Sequence, residues 1–274
     1  MTTALVRASH DPLSMLRATA RTFAVPIMWL PPGIRHSTTA ANLCLRAVDE
    51  IEDHPTLPPA TRIRLLTDIA GALCTSDPAQ AVTAVLAPHA ADLPEVSRRL
   101  TEWLDHAPPP TRARIREETA AMALRMAEWV RRDWQVHTEG DLDHYTYSVF
   151  GSVGLLMSDL WFHHDGTRID PDLTITFFRG LQAVHILQVC AGDPVRRAKL
   201  LPDGWSEEDL ARHIEVRLRA GDRCVGLLPP GTARSCYSAL LAIARPTTRA
   251  ALRGQPKLSR PEAIRLMADA LFAR

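Results

Sequence analysis

No stretch of this 274-residue chain is apolar for the ~20 residues a membrane-spanning helix needs, so no membrane span is expected. Met1 to His10 lacks the apolar core of a secretory signal. The five cysteines, at 44, 74, 190, 224 and 236, contain no C-x-x-C pair, which argues against a zinc site or a disulfide framework. Charge of one sign is also missing. Lys and Arg number 32 against 31 Asp and Glu, with no basic tract, so nothing calls for nucleic acid. There is no strand, Gly-rich turn and helix fingerprint, which leaves a nicotinamide cofactor without support. Alternating Val, Ile and Thr are rare, so β-structure is not expected. The sum of these absences describes a soluble, cytoplasmic protein of a reducing compartment.

What is present favours helix. Hydrophobic residues make up 46% of the chain, enough for a sizeable core, and Ala, Leu and Arg dominate. Helices are expected near 12–24, 35–53, 59–74, 77–87, 94–105, 111–133, 140–161, 171–191, 206–220, 231–251 and 259–272. The breaks fall at Leu30-Pro31-Pro32-Gly33, Pro58-Pro59, Pro108-Pro109-Pro110 and Asp203-Gly204. Ser206 and Asp209 have the spacing of a helix cap. With no internal repeat, low-complexity tract or linker, residues 1–274 read as one all-α domain.

The segment Asn42 to Asp53 places Asp49, Glu50, Glu52 and Asp53 at the end of an apolar run. On a helix, Asp49 and Asp53 share one face, about 5–6 Å apart. Pro55 stops the helix soon after. The acids then crowd a C-terminus that already carries roughly half a negative charge from the macrodipole. Two readings stay open: a solvated acidic helix end, or a Mg2+ site, since Mg2+ takes one or two carboxylates together with a substrate's phosphates. His163-His164-Asp165 has the residues of a metal site, but adjacent histidines on a helix point apart, and a solvated surface is expected there.

Several ordered motifs resemble the squalene and phytoene synthases. They are Ala20-Arg21-Thr22-Phe23 with Leu30-Pro31 and Arg35, and Arg46-Ala47-Val48-Asp49-Glu50-Ile51-Glu52-Asp53. Further on, Asp143 to Gly154 is similar to that family's Tyr-containing V-A-G-x-V-G helix. Leu181-Gln182-Ala183-Val184-His185-Ile186-Leu187 is similar to its L-Q-x-x-N-I-L segment, followed by Leu201-Pro202. The resemblance implies an isoprenoid-synthase helical bundle around a central apolar cavity. It also implies that Asp49 and Asp53 bind Mg2+ and that Arg21, Arg46 and Gln182 lie at a prenyl diphosphate. Arg35 matches a family position near the diphosphate more weakly. Tyr145 would face the reacting carbon, where its ring can stabilise a cation; Tyr147 fits a buried aromatic as well. Gly151 and Gly154 would allow close helix approach, and Phe23, Val48, Leu155, Phe178 and Leu181 would line an apolar wall.

The chain departs from the family at its second acidic motif, D-x-x-E-D. The aligned residues are Val189-Cys190-Ala191-Gly192-Asp193, and only Asp193 is an acid. The family's Asn and Arg nearby are His185 and Gln188. Without a second acid cluster, a second diphosphate lacks its metal. The expected reaction is therefore transfer of one prenyl group to a small hydrophobic, aromatic acceptor such as an indole or carbazole. In this it resembles the squalene-synthase-like prenyltransferases of carbazole antibiotics. His185 or Asp193 would take the proton lost by the acceptor. The alternative is head-to-head joining of two prenyl diphosphates into squalene, dehydrosqualene or phytoene.

Overall fold

The computed structural model describes residues 11–19, 24–255 and 258–272. Among them are fifteen α-helices and no strand: α1 (Pro12–Thr19), α2 (Ala24–Met28), α3 (Pro32–Glu52), α4 (Pro59–Leu73), α5 (Pro78–Leu86), α6 (Glu95–Arg98), α7 (Leu100–His106), α8 (Pro109–Arg131), α9 (Glu139–Thr146), α10 (Ser152–Asp165), α11 (Pro171–Cys190), α12 (Pro194–Leu200), α13 (Glu207–Leu227), α14 (Thr232–Leu252) and α15 (Arg260–Phe272). A 3₁₀ turn covers Ala87–His89, and a π turn covers Tyr147–Gly151. Prolines start many of these helices. Pro32, Pro59, Pro78, Pro109, Pro171 and Pro194 each stand at the first helical position, where the missing N–H is no loss. Ser206 and Asp209 form the expected reciprocal cap at the start of α13.

The helices group into two compact units, one up to Arg132 and one from Asp133. In the first, α3 packs against α8, α7 and α6, and α4 packs against α8 and α5. Leu43, Cys44, Ala47 and Val48 of α3 are fully buried, as are Leu66 and Ile69 of α4 and Ala123 and Met126 of α8. In the second unit α11 packs along α13, with α10 and α14 beside it. Its centre is aromatic: the Phe177 ring lies 5.7 Å from Phe178 and 6.0 Å from Tyr237, and Phe150 lies 5.1 Å from Phe178. Phe178 and Val48 are buried, whereas Leu155 and Leu181 are half-buried. All five cysteines are free.

Close approach of α10 to α11 is set by small residues, as the two glycines suggested. A methyl group on Gly154 would stand 2.8 Å from Thr174 Cγ2 and 3.0 Å from Phe178 Cγ, and one on Gly151 would stand 2.8 Å from Arg179 Cγ. Gly221 does the same for α13, where an added methyl would meet the Phe177 ring at 2.5 Å. α13 continues through this glycine to Leu227, beyond the expected end at residue 220. The expected helix 140–161 is interrupted by the π turn, 94–105 breaks at Arg99, and α12 has no counterpart among the expected helices. By length and composition alone α11 is apolar enough to cross a bilayer, with mean hydropathy 1.2. Two thirds of that apolar window, 67%, is buried, as in a core helix.

Two glycine substitutions should therefore move stability in opposite directions in urea titrations. Gly154→Val should destabilise by about 1–3 kcal/mol through overpacking. Gly226→Ala, on α13 with nothing within 4 Å of the added methyl, should stabilise by about 0.5–1 kcal/mol.

Candidate diphosphate and metal site

The acidic segment closes α3 as expected: the helix ends at Glu52 and Asp53 is its C-cap. Arg46 lies one turn back and is bonded to two of the acids. Its Nη1 donates to Asp49 Oδ2, and its Nη2 donates to Glu50 Oε1 at 2.5 Å. A second guanidinium sits on the helix end itself, where Arg62 Nη1 donates to the Glu52 carbonyl at 2.5 Å. The turn that follows is held by His54, which is buried. Its Nδ1 accepts from Thr56 N at 3.4 Å and Leu57 N at 3.2 Å, so the ring proton is on Nε2, which donates to the Asp92 carbonyl at 3.0 Å.

Burial pushes the Asp49 carboxyl up to about 6; the Arg46 charge opposes this, while Asp53 and Glu50 add to it. Asp49 is 22% exposed and Asp53 is exposed. Two hard-oxygen ligands one turn apart suit Mg2+, which takes one or two carboxylates together with a substrate's phosphates. Among the described residues no group of three or more His, Cys, Asp or Glu converges as a self-sufficient metal cage. Arg35, whose Nη1 donates to the Met28 carbonyl at 3.4 Å, lies on the same face of α3. Arg21 and Phe23 lie outside the described residues.

In the second unit Tyr145 is half-buried in the last turn of α9, directly before the π turn that begins at Tyr147, which is also half-buried. Such turns recur at functional sites. On α11, Gln182 is 9% exposed, and His185, one turn on, is exposed. Val189 is half-buried and Gly192 exposed. Asp193 serves the backbone: its Oδ1 accepts from Val195 N at 2.9 Å and Arg196 N at 3.1 Å, which caps α12. His163 and His164 are exposed at the end of α10.

One charged cluster has no signal in the sequence. Asp143, two residues before Tyr145, accepts from Arg179 of α11 and Arg217 of α13, whose side chains are 18% and 12% exposed. His213 lies beside them, its Nδ1 3.2 Å from Glu139 Oε1. Burial and the Arg217 charge push the imidazole down to about 4, against the pull of Asp143 and Glu139. Burial alone would raise the Asp143 carboxyl, but the two guanidinium groups overcome it and hold it below its usual range. The partners are 36 and 74 positions away, so no local pattern announces them.

The squalene/phytoene synthase family matches residues 16–273, and the chain belongs to it. A Botryococcus squalene synthase from Botryococcus braunii is 31% identical over 147 residues, 54% of this chain and 31% of that protein. A lycopaoctaene synthase from the same organism is 30% identical over 148 residues, 54% of this chain and 32% of that protein. These alignments thus span about a third of the curated relatives' length. A structure of TcSQS with the ligand E5700 superposes with a TM-score of 0.72 at 18% identity, covering 95% of this chain and 85% of that one. A dehydrosqualene synthase with ligand gives 0.64 at 18% identity, covering 94% and 93%. This likeness establishes the all-helical fold of squalene synthases. The family is typically Mg2+-dependent.

Two pH experiments check the electrostatics. The folded state binds the Asp49 proton more tightly than the unfolded chain, so the stability linked to it is present at low pH and lost as pH rises from about 4 towards 6. Metal-free Asp49→Asn should therefore be at least as stable as the parent at pH 8, by on the order of 1 kcal/mol, with the advantage shrinking below pH 4, as read by thermal unfolding. Asp143 has the opposite sign. Its contribution is present above the ordinary carboxylate pKa and lost as pH falls through its depressed value. Asp143→Asn should cost about 1–3 kcal/mol at pH 7 and little below pH 3.

Proposed function

We propose that the protein ionises one allylic prenyl diphosphate and transfers the prenyl group to a neutral, aromatic acceptor, as a single isoprenoid-synthase domain in the cytoplasm. The observation that carries this reading is the fate of the second acidic motif. Val189 and Gly192 offer no carboxylate, and the surviving Asp193 is engaged by two backbone amides as a helix cap.

In this reading Asp49 and Asp53 hold Mg2+, which supplies positive charge to the departing diphosphate. Arg46, already poised beside Asp49, donates charge-assisted hydrogen bonds to phosphate oxygens, and Arg21 and Gln182 are assigned to the same substrate. Tyr145 presents a ring face to the allylic cation. His185 accepts the proton that the acceptor ring loses; Asp193, engaged as a cap, is the less suited of the two to that role.

The second reading is head-to-head joining of two prenyl diphosphates. The comparisons favour it, since the relatives are named squalene, dehydrosqualene and lycopaoctaene synthases. One assay separates the two. Incubated with Mg2+ and geranyl or farnesyl diphosphate, the protein should form a prenylated aromatic product when an indole, carbazole or phenol is added, and no hydrocarbon in its absence. A hydrocarbon made from prenyl diphosphate alone establishes the head-to-head reading instead. Asp49→Asn and Asp53→Asn should each lower turnover by about 100-fold or more.

A further inference from the structure

The same face of α3 that ends in the acids is polar along its whole length. Positions 35, 38, 39, 42, 46, 49, 50 and 53 recur at intervals of three and four and so line one side of the helix. A polar helix face normally meets water. The first half of this one does not: Thr38 is 6% exposed, Thr39 is 0% exposed and Asn42 is half-buried. Moreover, Thr38 Oγ1, Thr39 Oγ1, Asn42 Oδ1 and Arg46 Nε are buried with no hydrogen-bond partner.

That is unusual for helical threonines, which can turn the hydroxyl back to the carbonyl four residues earlier. Thr119, Thr146 and Thr248, all buried, do so at 2.8, 2.8 and 3.0 Å. Thr38 and Thr39 do not. Several adjacent orphaned polar atoms on one stripe point to a missing hydrogen-bonding occupant. The chemistry of the set narrows what it is. Asn42 Oδ1 only accepts, the hydroxyls both donate and accept, and Arg46 Nε only donates. Thr38, Thr39 and Asn42 carry no charge, and hydroxyls and an amide together offer donors and acceptors, so the stripe matches a neutral O–H or N–H group, which brings both a donor and an acceptor.

We propose that Thr38, Thr39 and Asn42 form the subsite for the neutral reactant, holding an O–H or N–H group next to the diphosphate clamp. Asn42 stands one turn before Arg46 and about 10 Å along the helix axis from Asp49, which places the group upstream of the charged end of the substrate. This rests on the reading of prenyl transfer given above, and deepens it. The group has two possible sources, the acceptor's own heteroatom or a water molecule that captures the prenyl cation.

The test uses the full chain with Mg2+ and geranyl diphosphate, offered indole or N-methylindole, in water enriched in 18O. The parent should use indole at least about tenfold more efficiently than N-methylindole, because the methyl removes the donor. Asn42→Leu and Thr38→Val should bring that ratio to within about twofold while leaving KM for geranyl diphosphate unchanged. Formation of 18O-labelled prenyl alcohol by the parent, lost in both variants, supports the subsite with water as its occupant. An unchanged indole preference with equal alcohol formation in parent and variants overturns the proposal, as does a matching rise in KM for geranyl diphosphate.

A purely structural role is excluded by thermal unfolding of the ligand-free proteins. Asn42→Leu and Thr38→Val should unfold at or above the parent temperature, since the atoms removed have no partner. A fall of more than about 5 °C, the loss expected when a paired buried group is removed, contradicts the proposal. If the parent consumes no geranyl diphosphate under any condition, prenyl transfer itself fails. The subsite is then judged by calorimetric binding of indole to parent and variants, where equal affinity rejects it.

Discussion

Four carboxylates crowded at the C-terminal end of α3 are the constraint around which the first unit is arranged. Helix ends of this polarity repel negative charge, and the protein answers with cations from two directions. Arg46 reaches forward along the same helix to Asp49 and Glu50, while Arg62 reaches back from α4 to the Glu52 carbonyl. His54 then fixes the turn by accepting from two amides and donating to the Asp92 carbonyl. Burial still holds the Asp49 carboxyl above its ordinary value. With no cage of three or more His, Cys, Asp or Glu among the described residues, the pair suits a cation that arrives with a substrate.

The second unit solves a different problem. Its helices approach through Gly151, Gly154 and Gly221, which admit Arg179, Phe178 and Phe177 respectively. Close approach brings Arg179 and Arg217 onto Asp143, beside the helix that carries Tyr145. The C-terminal end of α11 carries the apolar and small residues Val189, Cys190 and Ala191, and Asp193 caps the next helix.

Much of this was legible in the sequence. The helix starts at Pro59 and Pro171 and the Ser206 cap follow from local chemistry and appear where expected, whereas α3 starts at Pro32, inside what reads as a break, three residues before its expected start. The acidic pair and Arg46 were legible because three- and four-residue spacing fixes a helix face. The Asp143 cluster was not, because its partners come from helices far apart in sequence. Nor was the extension of α13 through Gly221, because the Phe177 ring that packs on this glycine comes from another helix. The orphaned hydroxyls of Thr38 and Thr39 are invisible in sequence for a further reason: only coordinates show which buried threonines have satisfied themselves on their own helix.

The central claim is that one diphosphate clamp implies one diphosphate. Calorimetric titration of the protein with the unreactive farnesyl thiodiphosphate in the presence of Mg2+ counts the sites directly. A stoichiometry of one per chain, abolished by Asp53→Asn, is the result this account predicts. Two diphosphate sites per chain would contradict it and return the protein to the head-to-head chemistry of its relatives.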